Sequence, residues 1–238
     1  MSVRGKTAFV TGAAAGIGQG VARRLADEGA HVICADISPE VERVAAELGG
    51  TGVQVDLADR EAADALVMRL GEEHGLDIVV NVAGITRDAF LHKMTDEQWD
   101  TVIAVDLTAV FTVTRAATRL MRTRGGGRIV NISSASWLGN LGQANYAAAK
   151  AGVVGLTLTA ARELGRSGST ANAICPGFID TAMTRAMPEA LFAAQLEKIP
   201  LGRAGRPEDV AALVHFLASD DGAYITGEVI NVGGGYRL

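Results

Sequence analysis

The feature that most constrains this chain is a regular alternation of short β-rich runs with longer helical patterns. Two of the runs, Ile78–Val80 and Ile129–Val130, are apolar on both faces, as in strands covered by helices on both sides. The pattern predicts an α/β fold with a doubly wound parallel sheet of seven strands. The predicted strands are Thr7–Thr11, His31–Asp36, Gly52–Val55, Asp77–Val82, Arg128–Ser133, Thr170–Cys175 and Glu228–Val232.

Helical patterns lie between these runs, and one opens with the capping box Thr95–Gln98 and continues to about Thr123. The other predicted helices are Ile17–Glu28, Pro39–Leu48, Arg60–Glu73, Asn145–Leu164, Pro188–Lys198 and Pro207–Ala218. No linker, repeat or low-complexity segment interrupts the pattern, so we predict a single domain over residues 1–238. The least regular stretch, residues 177–206, is predicted to be a substrate lid, although a plain surface insertion would show the same pattern.

Charge and cysteine content exclude several classes of protein. The net charge of −5 argues against binding to nucleic acid, because proteins that grip phosphate backbones are usually basic. No uncharged apolar run reaches the length of a membrane span, and the first residues lack a signal-peptide pattern. Cys34 and Cys175 lie in apolar runs and are interpreted as buried free thiols of a cytoplasmic protein. The histidines show no metal-ligand spacing, so no metal site is predicted.

A glycine-rich turn, Thr11–Gly18, follows the first predicted strand and opens the first helix. Glycines let the chain turn sharply and let a pyrophosphate approach the backbone, while the helix N-terminus supplies free N–H groups. The sequence therefore predicts a dinucleotide site here, although a turn needed only for packing would look similar. The predicted contacts in the turn are Gly12, Ala14, Gly16, Ile17 and Gly18.

The end of the second strand predicts which dinucleotide binds. Asp36 can accept hydrogen bonds from both adenosine ribose hydroxyls and would repel a 2′-phosphate, and Ile37, which follows, brings no basic group. We therefore expect NAD(H) in preference to NADP(H). A turn or helix-cap role for Asp36 stays open. Asp56 and Leu57 end strand three near the expected adenine, where Asp56 could instead cap the next helix.

A tyrosine and a lysine four residues apart, Tyr146 and Lys150, lie on one face of a predicted helix. A phenol with an ordinary pKa of ~10 exchanges protons slowly near neutrality, and a nearby ammonium stabilises its phenolate. Ser134 follows strand five, at the carboxyl edge where ligands of open α/β sheets bind. The three side chains therefore indicate a site for proton exchange at this edge of the sheet.

With these motifs in place, the chain resembles the short-chain dehydrogenase/reductase family over essentially its whole length. The matching motifs are the turn Thr11–Gly18, the segment Asn81–Gly84, the trio Ser134, Tyr146 and Lys150, and the segment Pro176–Thr181. The resemblance implies a Rossmann fold, and further cofactor contacts from Asn81, Ala83, Gly84, Pro176, Gly177, Ile179 and Thr181. Within the family, Gly142–Gly152 and the ending Thr226–Gly235 look most like 3-oxoacyl-[acyl-carrier-protein] reductases.

The chain departs from the family pattern at a few positions. Asp106 stands where the family usually has an asparagine that supports a water relay to the lysine, so it is a candidate catalytic residue, with a plain helix-face carboxylate as the alternative. Val82 replaces a second asparagine. The interval from Ser134 to Tyr146 is one residue shorter than usual; Ser133 would restore it, but alignment from the strand side favours Ser134.

The resemblance implies reduction of a 3-oxoacyl thioester, with Tyr146 as proton donor, Ser134 binding the carbonyl and Lys150 holding the ribose. Acyl-carrier-protein reductases generally use NADPH, so the NADH preference leaves open an NAD-dependent dehydrogenase of another secondary alcohol. A non-catalytic dinucleotide-binding regulator is the third possibility. The resemblance also implies a homotetramer and possible docking of acidic acyl carrier protein, for which Arg124 and Arg166 are candidates unless they only face solvent.

Overall fold

A computed structural model describes residues 1–236 and shows one parallel sheet of seven strands in the order β3-β2-β1-β4-β5-β6-β7. The strands are β1 Thr7–Thr11, β2 His31–Asp36, β3 Thr51–Gln54, β4 Ile78–Asn81, β5 Gly127–Ile132, β6 Ser169–Pro176 and β7 Val229–Val232. The predicted fold class is confirmed, and no predicted strand boundary differs from the observed one by more than one residue.

Helices cover both faces of the sheet. They are α1 Gly16–Asp27, α2 Glu40–Glu47, α3 Arg60–His74, α4 Asp96–Ile103, α5 Ala109–Arg124, α6 Ala144–Leu164, α7 Ala182–Arg185, α8 Glu189–Leu196 and α9 Pro207–Ala218. Alternate residues of β1 point to opposite faces, as the two-residue period of a strand requires. Ala8 and Val10 pack in one core with α1, α2 and α9, whereas Phe9 packs in the other with α3, α5 and α6.

The long helix predicted from Thr95 is interrupted, which the sequence did not predict. A π-helical turn, Ala104–Thr108, separates α4 from α5. Such a turn inserts an extra residue into a helix and often marks a functional site. By length and composition the stretch Asp96–Arg124 is apolar enough to cross a membrane, but half of its apolar window is buried in the fold, as in a core helix.

The irregular stretch 177–206 is attached to the carboxyl edge of the sheet. Its backbone pairs with itself, since Asp180 donates to the carbonyl of Gly205 and Gly205 donates to that of Phe178. The Phe178 ring packs edge-on against Phe192 of α8 at 5.0 Å between centroids. The stretch therefore lies beside the predicted site, and its role as a lid stays a prediction.

Candidate active site

The glycine turn joins β1 to α1 through backbone that only glycine adopts easily. Gly12 and Gly16 have φ angles of 65° and 57°. A Cβ added at Gly18 would lie 2.0 Å from the carbonyl oxygen of Gly12, and one at Gly12 would lie 2.8 Å from the nitrogen of Ala83. Ala15, which precedes α1, offers no side-chain cap to the first helical turn. The exposed N–H groups and the tight turn form a cradle that suits an anionic pyrophosphate.

Asp36 lies beside this turn. Its Oδ2 accepts a hydrogen bond from the backbone N–H of Ala14 at 3.1 Å, and its Oδ1 accepts from Ser38 at 2.9 Å. An ionised carboxylate has about four lone-pair sites, so Asp36 keeps acceptor capacity for ribose hydroxyls. The next side chain, Ile37, is exposed and could cover an adenosine.

The two candidate residues that follow β3, Asp56 and Leu57, have different surroundings. Asp56 is exposed and its Oδ1 accepts from the N–H of Ala58, whereas Asp59 caps α3 by accepting from Glu61 and Ala62. The helix-cap alternative for Asp56 is therefore wrong, because Asp59 fills that role. Leu57 is buried in the core.

Asn81, at the end of β4, directs its side chain into the fold. Its amide donates to Oδ1 of Asn131 at 2.8 Å and to Oγ1 of Thr114 at 3.2 Å, and the residue is buried. The backbone that follows turns toward β1, since Thr11 Oγ1 accepts from the N–H groups of Val82 and Ala83. Any cofactor contact of this segment would therefore come from its backbone rather than from the Asn81 amide.

Tyr146 and Lys150 lie one turn apart on α6, with the Lys150 Nζ 5.4 Å from the centre of the Tyr146 ring. Lys150 is buried, and its ammonium donates to the carbonyl of Ile132, the last residue of β5, at 3.2 Å. The end of β5 and the face of α6 that carries Lys150 are thereby held together.

Asp106 completes this arrangement from the π-helical turn. Its Oδ2 lies 3.1 Å from the Lys150 Nζ, and its Oδ1 accepts from the N–H of Ile85 at 2.8 Å. Burial raises the pKa of Asp106 above its ordinary value, against the opposing effect of Lys150. Burial is the largest single effect on the pKa of Lys150 and works to lower it, but Asp106, followed by Tyr146, works against burial, and together with Cys175 they raise the pKa of Lys150.

The two candidate serines have different surroundings. Ser133 is buried, and its hydroxyl donates to the carbonyl of Lys150 at 2.9 Å. Ser134 is partly exposed, and its Oγ accepts from the N–H of Ser136 at 3.1 Å. The Ser134 hydroxyl proton is thus free of that bond and can be donated to a ligand, whereas the Ser133 proton is engaged within the fold.

The segment after β6 reaches the glycine turn. A Cβ built at Gly16 would lie 3.5 Å from Cγ2 of Thr181, so the two segments face each other. Pro176 ends the strand, Gly177 packs against the backbone of Gly233, and Ile179 is buried. Among residues 1–236, no group of His, Cys, Asp and Glu side chains could hold a metal ion.

Comparison with known proteins decides the family. A family model described as "Enoyl-(Acyl carrier protein) reductase" matches residues 12–237. The 3-oxoacyl-[acyl-carrier-protein] reductase FabG of Thermotoga maritima is 45% identical, with 99% of each chain covered, and that of Escherichia coli is 43% identical, with 100% of each covered. The (3R)-3-hydroxyacyl-CoA dehydrogenase of Mus musculus is 46% identical over 99% of this chain and 97% of its own.

This chain belongs to the short-chain dehydrogenase/reductase family. It is an oxidoreductase acting on a CH–OH group or the corresponding carbonyl, with NAD(P) as the redox partner. The glycine cradle and the Asp36 carboxylate fit such a dinucleotide in this structure.

Two residues of this short-chain dehydrogenase/reductase site were missed from the sequence. Asn145 is fully buried, and its amide donates to the carbonyls of Arg87 and Gln98 while its Oδ1 accepts from the N–H of Tyr146. It therefore fixes the first turn of α6. The sequence feature that could have identified Asn145 is its position directly before the candidate Tyr146.

Gln143 is the second missed residue, and it joins two loops beside the same turn. Its Oε1 accepts from Ser136 at 2.9 Å and its Nε2 donates to Asp88 at 3.1 Å. The loop that carries Ser134 is thereby tied to the segment after β4. Burial raises the pKa of Asp88 above its ordinary value, against the effect of the Gln143 hydrogen bond.

Proposed function

We propose that this protein reduces a 3-oxoacyl thioester to the 3-hydroxyacyl thioester. The single observation that carries the proposal is that Lys150 lies over the Tyr146 ring and is bonded to the last residue of β5, two residues before Ser134. The substrate class is supported by the names of full-length relatives, which describe reductases of 3-oxoacyl groups on acyl carrier protein.

Each side chain has a role that its contacts allow. Tyr146 donates its proton to the substrate carbonyl oxygen, and the partly exposed Ser134 hydroxyl hydrogen-bonds the same oxygen as negative charge develops on it. The Lys150 ammonium lies close enough to Tyr146 to stabilise the negative charge that develops as the proton is transferred, and it would hold the nicotinamide ribose. The cofactor, when bound, supplies the hydride. Thr181 and the backbone near Ile179 would orient the carboxamide.

The cofactor is proposed to be NADH rather than NADPH. Asp36 is aimed at the glycine turn by the N–H of Ala14, and a carboxylate there favours two free ribose hydroxyls over a 2′-phosphate. Gly12, Gly16 and Gly18 would hold the pyrophosphate. Asp56 would meet the adenine.

A second candidate function has a specific observation in its favour. The mouse (3R)-3-hydroxyacyl-CoA dehydrogenase is 46% identical to this chain, although the FabG reductases support the first candidate better. The same side chains would then run in the oxidative direction on a coenzyme A thioester, and NAD(H) would suit that direction. The two candidate functions therefore differ in the carrier of the acyl group and in the direction of the reaction.

Partners of the protein are also proposals. Arg124 is engaged with the carbonyl of Leu76 and with Asp77, which leaves Arg166, exposed beyond α6, as the better candidate for docking acyl carrier protein. An open groove between α5 and α6 contains Phe111 and Leu156. These helices are the proposed interface of a homotetramer, and we propose a cytoplasmic location.

Initial rates with acetoacetyl thioesters test the proposal. Acetoacetyl-coenzyme A and acetoacetyl-acyl carrier protein are compared as substrates, each with NADH and NADPH at equal concentration, and nicotinamide absorbance is followed. Rapid oxidation of NADH with either thioester supports the proposal, and faster turnover of the carrier-protein substrate favours the reductase. Absence of turnover with all four combinations contradicts the thioester proposal, and a preference for NADPH contradicts the role of Asp36.

A further inference from the structure

A buried carboxylate pairs with the lysine of the proposed site. Asp106 is 0% exposed and Lys150 is 2% exposed, and the pair is closed off on one side by the backbone of Gly84. A Cβ added at Gly84 would lie 2.7 Å from the Asp106 Oδ2 and 3.2 Å from the Lys150 Nζ. The ion pair is thus shielded from solvent. Water and salt therefore screen the attraction between the two charges only weakly.

Both groups are held by bonds to the surrounding backbone. The Asp106 Oδ1 is fixed by the N–H of Ile85, and among residues 1–236 its Oδ2 contacts no donor other than Lys150. An ammonium has three N–H donors, and those of Lys150 reach Asp106 and the carbonyl of Ile132.

We propose that Asp106 is a positioning residue that keeps the Lys150 ammonium in place and charged, and thereby extends the proposed carbonyl reduction to higher pH than Lys150 alone would allow. The physical reason is that burial favours the neutral amine, while a carboxylate in direct contact favours the ammonium. An amide at the same place would leave the hydrogen bond to the Ile132 carbonyl but would supply no negative charge to offset the burial cost of the ammonium.

Few other titratable groups face this pair. The Tyr146 ring lies over Lys150, and Cys175 of β6 is close enough to Lys150 to interact with it electrostatically. The Cys175 thiol is buried, and burial raises its pKa, so it is neutral near neutral pH. Asp106 and Tyr146 both favour the Lys150 ammonium electrostatically, and the contribution of Asp106 is the larger of the two.

Lysine protonation can be measured without any substrate. The chain contains four lysines, so protein labelled with ¹³C at lysine Cε gives few signals, and the Lys150 signal is identified by its loss in Lys150→Arg. We expect the Lys150 titration midpoint to fall by at least about one pH unit in Asp106→Asn. Asp100→Asn, on exposed α4, removes the same charge without contact to Lys150 and is expected to leave the midpoint unchanged.

The kinetic readout rests on the proposed function. The alkaline limb of kcat/KM for acetoacetyl thioester reduction should move to lower pH in Asp106→Asn, by no more than the fall in the Lys150 midpoint because loss of the Tyr146 proton also limits this limb, and it should not move in Asp100→Asn. If neither thioester is reduced, the proposed substrate fails, while the lysine titration still tests the inference.

Two outcomes overturn the role of Asp106. One is an unchanged or raised Lys150 midpoint in folded Asp106→Asn. The other is measured on the unmodified protein, so it holds even if the variant does not fold: a Lys150 midpoint below the ordinary lysine value of ~10.4 would show that Asp106 does not offset burial.

Discussion

Replacement of Gly18 by alanine tests whether the glycine cradle is as tight as the structure shows. The added Cβ would lie 2.0 Å from the Gly12 carbonyl oxygen, about 1.4 Å closer than an ordinary van der Waals contact of 3.4 Å. The obstacle is backbone, so the turn or the start of α1 has to move. Overpacking of this kind typically costs ~1–3 kcal/mol, and we expect a loss of about 3 kcal/mol in the free energy of unfolding.

The displaced turn would also present its N–H groups wrongly to a pyrophosphate. A loss of ~1.4 kcal/mol of binding energy corresponds to a tenfold weaker Kd, and we expect at least that for NADH. Urea unfolding and fluorescence titration with NADH measure the two effects on the same preparation.

Gly165→Ala is the matched control for this substitution. Gly165 has helical backbone angles and would place its Cβ in open space, so alanine there should be neutral or stabilise by up to ~1 kcal/mol. A Gly18→Ala protein with the stability and NADH affinity of the Gly165→Ala protein would refute the reasoning.

Three further predictions concern the core and the cofactor. Burial lowers the pKa of His215 below its ordinary 6.5, so stability should fall as pH drops below 6.5, and this decrease should be smaller in His215→Gln when thermal unfolding is followed against pH. Asn131→Ala removes the acceptor of Asn81 and the donor to Thr157 and should cost about 2–4 kcal/mol by urea unfolding; a cost under ~0.5 kcal/mol would contradict these bonds. Asp36→Asn should raise the NADPH/NADH ratio of kcat/KM by about tenfold, and an unchanged ratio would contradict the charge argument.

Much of the fold was predictable because strands buried on both faces are continuous apolar runs between turn residues. β1 and β2 were predicted with their observed boundaries. Because parallel strands all end at the same edge of a sheet, the sequence also predicted that the glycine turn and Asp36 lie at one edge. The proximity of Tyr146 and Lys150 also followed, because four residues make about one helical turn.

Other features depend on packing between distant segments. The helical pattern around Asp106 is continuous in sequence, so it did not reveal the π-helical turn that directs this carboxylate to Lys150. The family resemblance placed Asp106 at the position of the relay to the lysine but did not predict a buried ion pair with Lys150. Asn145 and Gln143 were missed because their roles depend on backbone and loops that come from other parts of the chain.

The most direct test of the proposed mechanism is the turnover of Tyr146→Phe. Removal of the phenol oxygen leaves the ring beside Lys150 and the cofactor cradle intact, but it removes the proton donor. General acid catalysis typically contributes 10²–10⁴-fold, so acetoacetyl thioester reduction should fall by at least ~100-fold while the Kd for NADH changes little. Turnover equal to that of the unmodified protein, at the same NADH affinity, would contradict the assignment of Tyr146 as the acid.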